Sequence, residues 1–433
     1  MSAIFFGIVI IAFVVAAFRQ LTWTPSESTY ATVGPMQDLA VAMIDAATGS
    51  VTLAIGLVGV MALFLGLMKV AEEGGLLLII ARTVRPLMIR LFPEIPFDHP
   101  AMGSMILNMA ANALGLGNAA TPFGIRAMQQ LDKLNETPGT ASNAMVLFLA
   151  INTSSVTLLP TGVIALRAAA GSNDPAGILP TTLFATICST TVAIIIAKTL
   201  QRYWSVQSNQ TILPNEKLPE ISSELKSTDD VANGYPTWVS ITVLAAILAI
   251  IPLTIFFGRE IAPWIIPGLM VSLLGFGLLR RINIYEAFVE GAKDGFEVAL
   301  RIIPYLVAIL VAVAMFRASG AMSMLIEPLG SVTELFGLPA EALPMALLRP
   351  LSGSGAYGIL ASIIQDPSIG PDSYVGYLVS TFQGSTETTF YVLAVYFGAV
   401  GIRRVRHAIV AAICADIMGI VAAVFIVSLL YGP

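Results

Sequence analysis

The sequence predicts an all-α polytopic membrane protein, with two inverted repeats, re-entrant hairpins and broken transmembrane helices. Only 11% of its 433 residues are charged, against roughly 25% in an ordinary soluble domain. Continuous apolar runs of about 20 residues recur along the chain, which is the length that crosses a bilayer as a helix. Clusters of Gly, Pro, Asn, Ser and Thr interrupt these runs at matching places in the two halves. A β-barrel is disfavoured because the runs do not alternate.

Composition also limits the function classes. The net charge is −5 and the basic residues cluster near the ends of apolar runs, which disfavours a nucleic-acid partner. Cys188 and Cys414 both lie inside apolar runs, so we expect small buried side chains and no metal site. No P-loop or nucleophile elbow occurs, so we expect neither an enzyme nor a cofactor. The expected partners are membrane lipid and a small polar solute, and a homo-oligomer is compatible with the sequence.

Apolar runs mark the candidate spans in chain order. The first run lacks a basic segment before it, so we expect a retained helix and not a cleaved signal peptide. The candidate spans are Ala3–Phe18, Val51–Val70, Ala144–Leu166, Ile178–Leu200, Trp238–Phe257, Ala262–Leu279, Val298–Phe316, Tyr374–Val400 and Ala408–Leu430.

One long polar stretch divides the chain. Residues 202–236 are rich in Ser, Asn, Pro and charge, which is typical of an exposed linker. We therefore expect repeats at residues 1–201 and 237–433, joined on the cytoplasmic side. Placing the basic clusters in the cytoplasm puts the N-terminus there as well. Residues 22–38 are then an outer loop, with no role that the sequence assigns.

The two halves carry the same order of features. VTLAIGLVGVMALFLGLMKVAEEGG from Val51 matches VALRIIPYLVAILVAVAMFRASGAM from Val298 in its apolar pattern. NAATPFGIRAM in the first half corresponds to SGSGAYGILAS in the second, and LAINTSSVTLLP to VSTFQGSTETTFY. Four predicted spans separate the first matched pair, so the second copy should be inverted. Inverted repeats with matching helix breaks indicate a transporter with a site near the midplane, whereas chance similarity of apolar sequences is the alternative.

The first break is the stretch GLGNAATPFG. Before it, Asn108 and Asn112 are four residues apart and share a helix face. Thr121 followed by Pro122 predicts the cap and first residue of a second short helix. Irregular backbone at membrane depth lines a cavity or is buried in protein. We therefore predict that Asn108, Asn112, Asn118 and Thr121 bind a solute, with close helix packing as the alternative.

Two further breaks carry hydroxyl and amide side chains. Asn152 and Ser155 lie in an apolar run that Pro160 interrupts, because proline cannot donate the next helical hydrogen bond. In RPLSGSGAYG, Ser352 or Ser354 should cap a helix. We predict that Asn152, Ser155, Ser352 and Ser354 also bind the solute. Arg349 precedes this break and either faces an anionic ligand or forms a salt bridge.

The last break contains the most unusual residue. Gln383, Glu387 and Tyr391 are spaced by four, which predicts one helical face. An acid within a span is costly unless it is paired, protonated or hydrated. We therefore predict that Glu387 binds a coupling proton or Na⁺; a structural ion pair with Arg349 or Arg317 is the alternative. The predicted solute-binding residues here are Gln383, Ser385, Thr386 and Glu387, and Asp416 in the last span is a weaker candidate.

These motifs resemble a known family. The stretches RPLMIRLFPEIPFDHPAMGSMILNMAANALGLGNAATPFGIRAMQQLDKLN and NTSSVTLLP resemble spore maturation protein A. RPLSGSGAYG and GPDSYVGYLVSTFQGSTETTFYVLAVYFGAVGIRRVRHA resemble spore maturation protein B. The chain thus resembles a fused A–B protein of the nucleoside-recognition, or Gate, domain family. Related Gate segments occur in nucleoside and ferrous iron transporters, so the resemblance implies solute movement across a bacterial inner membrane without fixing the substrate.

The function expected from the sequence is therefore transport of a small polar solute through a midplane site. Coupling to H⁺ or Na⁺ is expected at Glu387. A non-transporting scaffold for envelope or spore maturation is the alternative. An intramembrane enzyme is a distant third.

Overall fold

The computed structural model describes residues 2–23, 34–115, 117–204 and 235–432. Within these ranges the chain is helical, and its only β-type pairing is an isolated bridge between Thr140 and Arg404. The predicted all-α class is confirmed. Most of the predicted linker and outer loop, residues 205–234 and 24–33, lies outside the described residues.

The described part of the first half contains eight helices. They are α1 Ser2–Thr22, α2 Pro35–Glu73, α3 Leu76–Leu91, α4 Pro100–Ala113, α5 Gly117–Lys133, α6 Asn143–Thr153, α7 Thr161–Ala169 and α8 Ile178–Leu200.

Eight more helices follow residue 236, with short 3₁₀ turns at Glu334–Phe336 and Ala340–Ala342. They are α9 Thr237–Leu279, α10 Ile284–Ala318, α11 Ala321–Thr333, α12 Leu343–Leu348, α13 Gly353–Ile364, α14 Tyr374–Ser385, α15 Thr389–Gly398 and α16 Ala408–Tyr431. The buried core consists mainly of one apolar cluster on α4–α6 and another on α7, α13, α14 and α16.

Several helices have the length and composition of membrane spans. Among the described residues, four qualify singly, and α10 with α11 adds a pair bent by 75°. We conclude that the protein is a membrane protein. The four are Phe5–Thr22, Pro35–Glu73, Ile178–Leu200 and Ala408–Tyr431.

The structure differs from four of the predicted spans. The runs at Ala144–Leu166 and Tyr374–Val400 each form two helices separated by irregular backbone. The two runs predicted on either side of Gly258 form one continuous helix, α9. Glycine and charged residues interrupt apolarity at this point without ending the helix, because a single glycine lowers helix stability by only about 1 kcal/mol.

The order of elements in the first half recurs in the second. In both halves a long helix ends at a glycine in the left-handed conformation, Gly75 with φ 83° and Gly320 with φ 82°, and this glycine begins the next helix. Two interrupted helices and a final long helix follow. The second interrupted helix starts at a serine cap in each half, where Ser142 accepts from Met145 N and Ser373 accepts from Gly376 N. Corresponding local signals therefore occur at corresponding places.

The matched long helices α2 and α10 pack against each other and run antiparallel. Gly66 of α2 approaches Phe288, whereas Ala62, earlier on α2, approaches Gly295, later on α10. A Cβ on Gly291 would lie 2.4 Å from the carbonyl oxygen of Leu65. The small residues thus allow backbone contact, as is common between membrane helices.

The final helices of the two halves, α8 and α16, are also antiparallel. Gly177 O, at the start of α8, accepts a 2.8 Å hydrogen bond from Tyr431, at the end of α16. At mid-length, Ser189 donates to Ala415 O over 2.8 Å. Both pairs of corresponding long helices therefore point in opposite directions.

Candidate functional site

The first two helix breaks contact each other through their backbones. Helix α4 ends at Ala113, whose carbonyl accepts a 2.9 Å hydrogen bond from Leu158 N in the break between α6 and α7. Gly115 has φ 73°, and a Cβ there would lie 2.4 Å from Leu159 O. Only glycine meets both the conformation and the close approach, which explains why the sequence has a glycine at this point.

Main-chain hydrogen bonds also connect the two helix breaks of the second half to each other and to the first half. Glu387 N donates to Thr153 O, at the end of α6, over 2.8 Å. Phe390 N donates to Pro350 O, in the break between α12 and α13, over 3.2 Å. The four interruptions therefore meet in one place, and the bond between Glu387 and Thr153 joins the two halves.

A cavity of about 950 Å³ lies where the four breaks meet. This volume falls in the range of small-molecule sites, about 300–1,000 Å³. Residues from both halves line it. Its polar and small lining residues include Asn112, Gly115, Thr157, Thr161, Arg349, Ser352, Ser354, Tyr357, Gln383, Glu387, Thr388 and Tyr391.

Five residues predicted to bind a solute line this cavity. They come from three different breaks and carry amide, hydroxyl and carboxylate groups. Direct contact with a solute is therefore available to them, and their binding role stays a prediction. The five are Asn112, Ser352, Ser354, Gln383 and Glu387.

Asn108 and Asn152 lie behind the cavity wall in a buried network. Asn112 Nδ2 donates to Asn152 Oδ1 over 2.9 Å, and Tyr396 contacts the same oxygen at 3.4 Å. Asn108 Nδ2 donates to Tyr396 Oη over 3.0 Å and to Ala120 O over 2.8 Å. Asn112 is the member of this network that reaches the cavity, so Asn108 and Asn152 are placed to orient it.

Three other predicted residues are buried and do not line the cavity: Ser155, Ser385 and Thr386. Ser385 Oγ donates to Phe382 O within its own helix, and the carbonyl of Thr386 accepts from Arg349. The side chain of Asn118 lies outside the described residues. Thr121 is half-buried within α5.

Two local predictions about the breaks need correction, and one is confirmed. Helix α5 begins at Gly117, so Pro122 lies inside the helix and Thr121 is not its cap. The predicted continuous face from Gln383 to Tyr391 is interrupted, because residues 386–388 are not helical. Ser352 caps α13 as predicted, since its side chain accepts a 3.0 Å hydrogen bond from Gly355 N.

Arg349 is a buried cation at the cavity wall. Its Nη1 donates to Thr388 Oγ1 over 3.2 Å, and its Nη2 donates to the carbonyl of Thr386. These bonds hold the guanidinium against the break between α14 and α15. Its Nε has no hydrogen-bond partner among the described residues, so the group retains a free donor.

Glu387 lies in the break itself, with its side chain 50% exposed. Its Oε2 is 3.9 Å from Arg349 Nη2, which is an ion-pair distance and too long for a hydrogen bond. The predicted pair between these residues is therefore present in a loose form. The carboxylate lies in the non-helical residues 386–388, which interrupt the predicted span, and it faces the cavity.

Several lining residues were outside the predicted binding set. Thr161 directly follows Pro160, Thr157 precedes it by three residues, and Thr388 directly follows Glu387. Their positions inside the predicted breaks were the available signal. Tyr357, four residues into α13, carried no such signal, because its approach to the cavity depends on how α13 packs.

Asp416 is a second acid within the helices. It is buried in α16, and its Oδ2 accepts a 2.7 Å hydrogen bond from Thr389 at the start of α15. Its Oδ1 has no partner in the described part of the chain. Among those same residues, no group of three His, Cys, Asp or Glu side chains could hold a metal ion.

Comparison with known proteins places this architecture in a family. The Gate family, described as nucleoside recognition, matches residues 54–170 and 299–403, more than half of the chain. The chain belongs to the Gate family. The two matched segments contain all four helix breaks. No solved structure matches the chain.

Two relatives each match about two fifths of the chain. Spore maturation protein B of Bacillus subtilis is 46% identical over 177 residues, which cover 40% of this Gate protein and 98% of the relative. Spore maturation protein A of the same organism is 50% identical over 163 residues, which cover 38% of the chain and 83% of the relative. Inner membrane protein YjiG of Escherichia coli is 31% identical over 84 residues, covering 19% of the chain and 55% of the relative. The resemblance to a fused A–B protein is confirmed.

Proposed function

We propose that this Gate protein is a transporter that moves a small polar solute through the central cavity. One observation carries the proposal: four helix breaks from both halves meet around about 950 Å³ of space lined by Arg349, Glu387 and uncharged polar groups. Charged residues within membrane proteins are rare and usually mark pathways or binding sites. We propose no catalytic role for the site.

The arrangement of the helices supports two inverted repeats with re-entrant hairpins. The corresponding pairs α2–α10 and α8–α16 run antiparallel, as two copies related by an axis in the membrane plane would. A site between inverted repeats can open to alternate sides when one repeat rocks against the other. We retain the inner-membrane location and the cytoplasmic N-terminus as parts of the proposal.

The coupling ion, H⁺ or Na⁺, is proposed to bind at Glu387, whose carboxylate faces the cavity. Asp416 is the second candidate, because it is buried with one unpartnered oxygen and contacts the start of α15 through Thr389. A carboxyl group in such a place can carry a proton. Glu387 lies in the break between α14 and α15, and Asp416 accepts a hydrogen bond from the residue that follows this break. Ion binding at either acid can therefore change the geometry of the break.

The alternative is a non-transporting scaffold for envelope or spore maturation. It is favoured by the names of the two Bacillus relatives and by the dense contacts that tie α7 to α14. A scaffold needs the two halves to stay locked, whereas a transporter needs them to move.

Release of solutes from proteoliposomes tests this choice. Vesicles containing the full chain are loaded with a defined mixture of amino acids, nucleosides, dipeptides and divalent metal ions, and the efflux of each compound is measured by mass spectrometry. The proposal expects efflux of at least one compound above that of empty vesicles, and reduced efflux with Glu387→Gln.

The matched control is Arg317→Gln, since Arg317 forms an exposed pair with Asp366 away from the central cavity. To identify the coupling residue, Glu387→Gln and Asp416→Asn are compared in exchange and in gradient-driven uptake. The variant of the coupling residue should lose accumulation more strongly than it loses exchange. If the folded protein releases nothing above empty vesicles, the scaffold alternative holds.

A further inference from the structure

The central cavity presents opposite charges side by side. Arg349 Nη2 and Glu387 Oε2 are 3.9 Å apart, and both residues line the cavity. With a neutral solute, the guanidinium and the carboxylate would gain no new charged partner and would still face each other without a hydrogen bond. A solute with one charge would satisfy one residue and leave the other without its partner.

The positive side of the cavity is built from two elements. A Cβ on Gly353 would lie 3.7 Å from Arg349 Nη1, so the guanidinium lies beside the start of α13. The first amides of a helix have no intrahelical acceptor and carry partial positive charge. Arg349 is buried, and its Nε has no partner among the described residues. These donors together suit a carboxylate.

The negative side consists of Glu387 and a buried amide. Gln383 is buried, lines the cavity, and its Oε1 accepts no hydrogen bond from any described residue. A buried polar atom without a partner is uncommon and requires an explanation. The carboxylate and the amide oxygen are both acceptors, so together they suit an ammonium group, which only donates hydrogen bonds.

We propose that the cavity binds free α-amino acids as zwitterions. The carboxylate would contact Arg349 and the start of α13, and the ammonium would contact Glu387 and Gln383. Because one carbon carries both charged groups of an α-amino acid, the two subsites must adjoin, as Arg349 and Glu387 do. The remaining wall, with Leu159, Val163, Leu351 and Phe390, would contact the side chain.

This inference deepens the proposed function by naming the substrate class of the same cavity. It is compatible with coupling at Glu387. A proton and a substrate ammonium compete for one carboxylate, so loading of one favours release of the other.

Equilibrium binding to the purified full chain tests the inference directly. The probe is a mixture of the common L-amino acids labelled with ¹⁴C. Unlabelled competitors are the same amino acids, their α-carboxamides, the corresponding α-keto acids, a nucleoside mixture and dialanine. Saturable binding is expected, with displacement by amino acids at concentrations at least about tenfold lower than by any other competitor.

Variants then assign the two subsites. Glu387→Gln should weaken binding at least about tenfold, as should Arg349→Gln, whereas Arg317→Gln should leave it unchanged. Arg349 also donates hydrogen bonds to the helix break, so Arg349→Gln could misfold. The competitor series uses the natural protein and therefore tests the inference independently of this variant. Equal displacement by the amides or keto acids, preference for nucleosides or dialanine, or no binding by folded protein overturns the inference.

The outcomes separate the inference from the proposed function. Amino acids that bind without crossing proteoliposome membranes support the site and contradict transport. Efflux of nucleosides or metal ions with no amino-acid binding supports transport and overturns the zwitterion site.

Discussion

Two buried arginines, Arg167 and Arg349, lie beside acids in opposite settings. Arg167 has no exposed side-chain surface and is 3.0 Å from Asp372 Oδ1. It also donates to Pro371 O over 2.6 Å and lies 4.2 Å above the ring of Tyr377. Its hydrogen bonds thus join the end of α7 in the first half to the start of α14 in the second.

Arg349 has an acid at 3.9 Å that is half-exposed and faces a cavity. Asp372, the partner of Arg167, in contrast accepts further hydrogen bonds from Ser172 Oγ and Asn173 N. The difference indicates two roles for an arginine–carboxylate pair. The closed pair of Arg167 and Asp372 joins the two halves, whereas the open pair of Arg349 and Glu387 leaves charged groups that a ligand can contact. Four substitutions test this contrast, in order of decreasing expected effect on stability and transport together.

The largest loss of stability is expected from Asp372→Asn. It removes the acid that pairs with buried Arg167 and leaves Asp174 as a more distant counter-charge, and breaking a buried pair costs about 3–5 kcal/mol. We expect the lower end, because 29% of the Asp372 side chain is exposed. Thermal and denaturant unfolding in detergent measure the change. Unfolding indistinguishable from the natural protein would show that this pair does not hold the halves together.

Arg349→Gln should have an intermediate effect. The change removes the donors to Thr386 O and Thr388 Oγ1, and losing a partner of buried polar groups costs about 1–3 kcal/mol. The same unfolding experiment measures it, alongside solute binding. A variant as unstable as Asp372→Asn, with binding retained, would make Arg349 a structural residue and remove the contrast.

Glu387→Gln should barely alter stability while reducing binding and transport. The carboxylate is half-exposed and forms only a long pair, and such pairs contribute about 0–1 kcal/mol. The amide keeps the size of the side chain and removes its charge. Unfolding and efflux are measured on the same preparation. A large stability loss with unchanged efflux would favour the structural ion pair as the role of Glu387.

The smallest combined effect on stability and transport is expected from Asp366→Asn. Arg317 and Asp366 are 47% and 19% exposed, 2.6 Å apart and away from the central cavity, and pairs near the surface contribute about 0–1 kcal/mol. Unfolding and efflux should both match the natural protein within about 1 kcal/mol and twofold, respectively. The variant calibrates the other three, because a marked effect here would mean that any lost carboxylate disturbs this protein.

Local signals in the sequence determined the helical class, the approximate places of the breaks and a serine cap at Ser352 or Ser354, of which the structure shows Ser352. These properties depend on neighbouring residues: proline lacks an N–H, glycine permits left-handed backbone, and a serine oxygen accepts a nearby amide. Such local signals gave a wrong prediction where two structures were compatible with the same residue. Pro122 is compatible with either the start or the interior of α5, and only the packed helix shows which applies.

Which polar residues face the cavity was decided by tertiary structure alone. Asn108 and Asn112 are four residues apart and look equivalent in the sequence, yet Tyr396 from the other half covers Asn108 while Asn112 reaches the cavity. Arg167 meets Asp372 across 205 positions of the chain. The hydrophobic pattern determines whether a residue lies in the protein interior. The partner of that residue depends on how distant helices pack, and local interactions do not encode this packing.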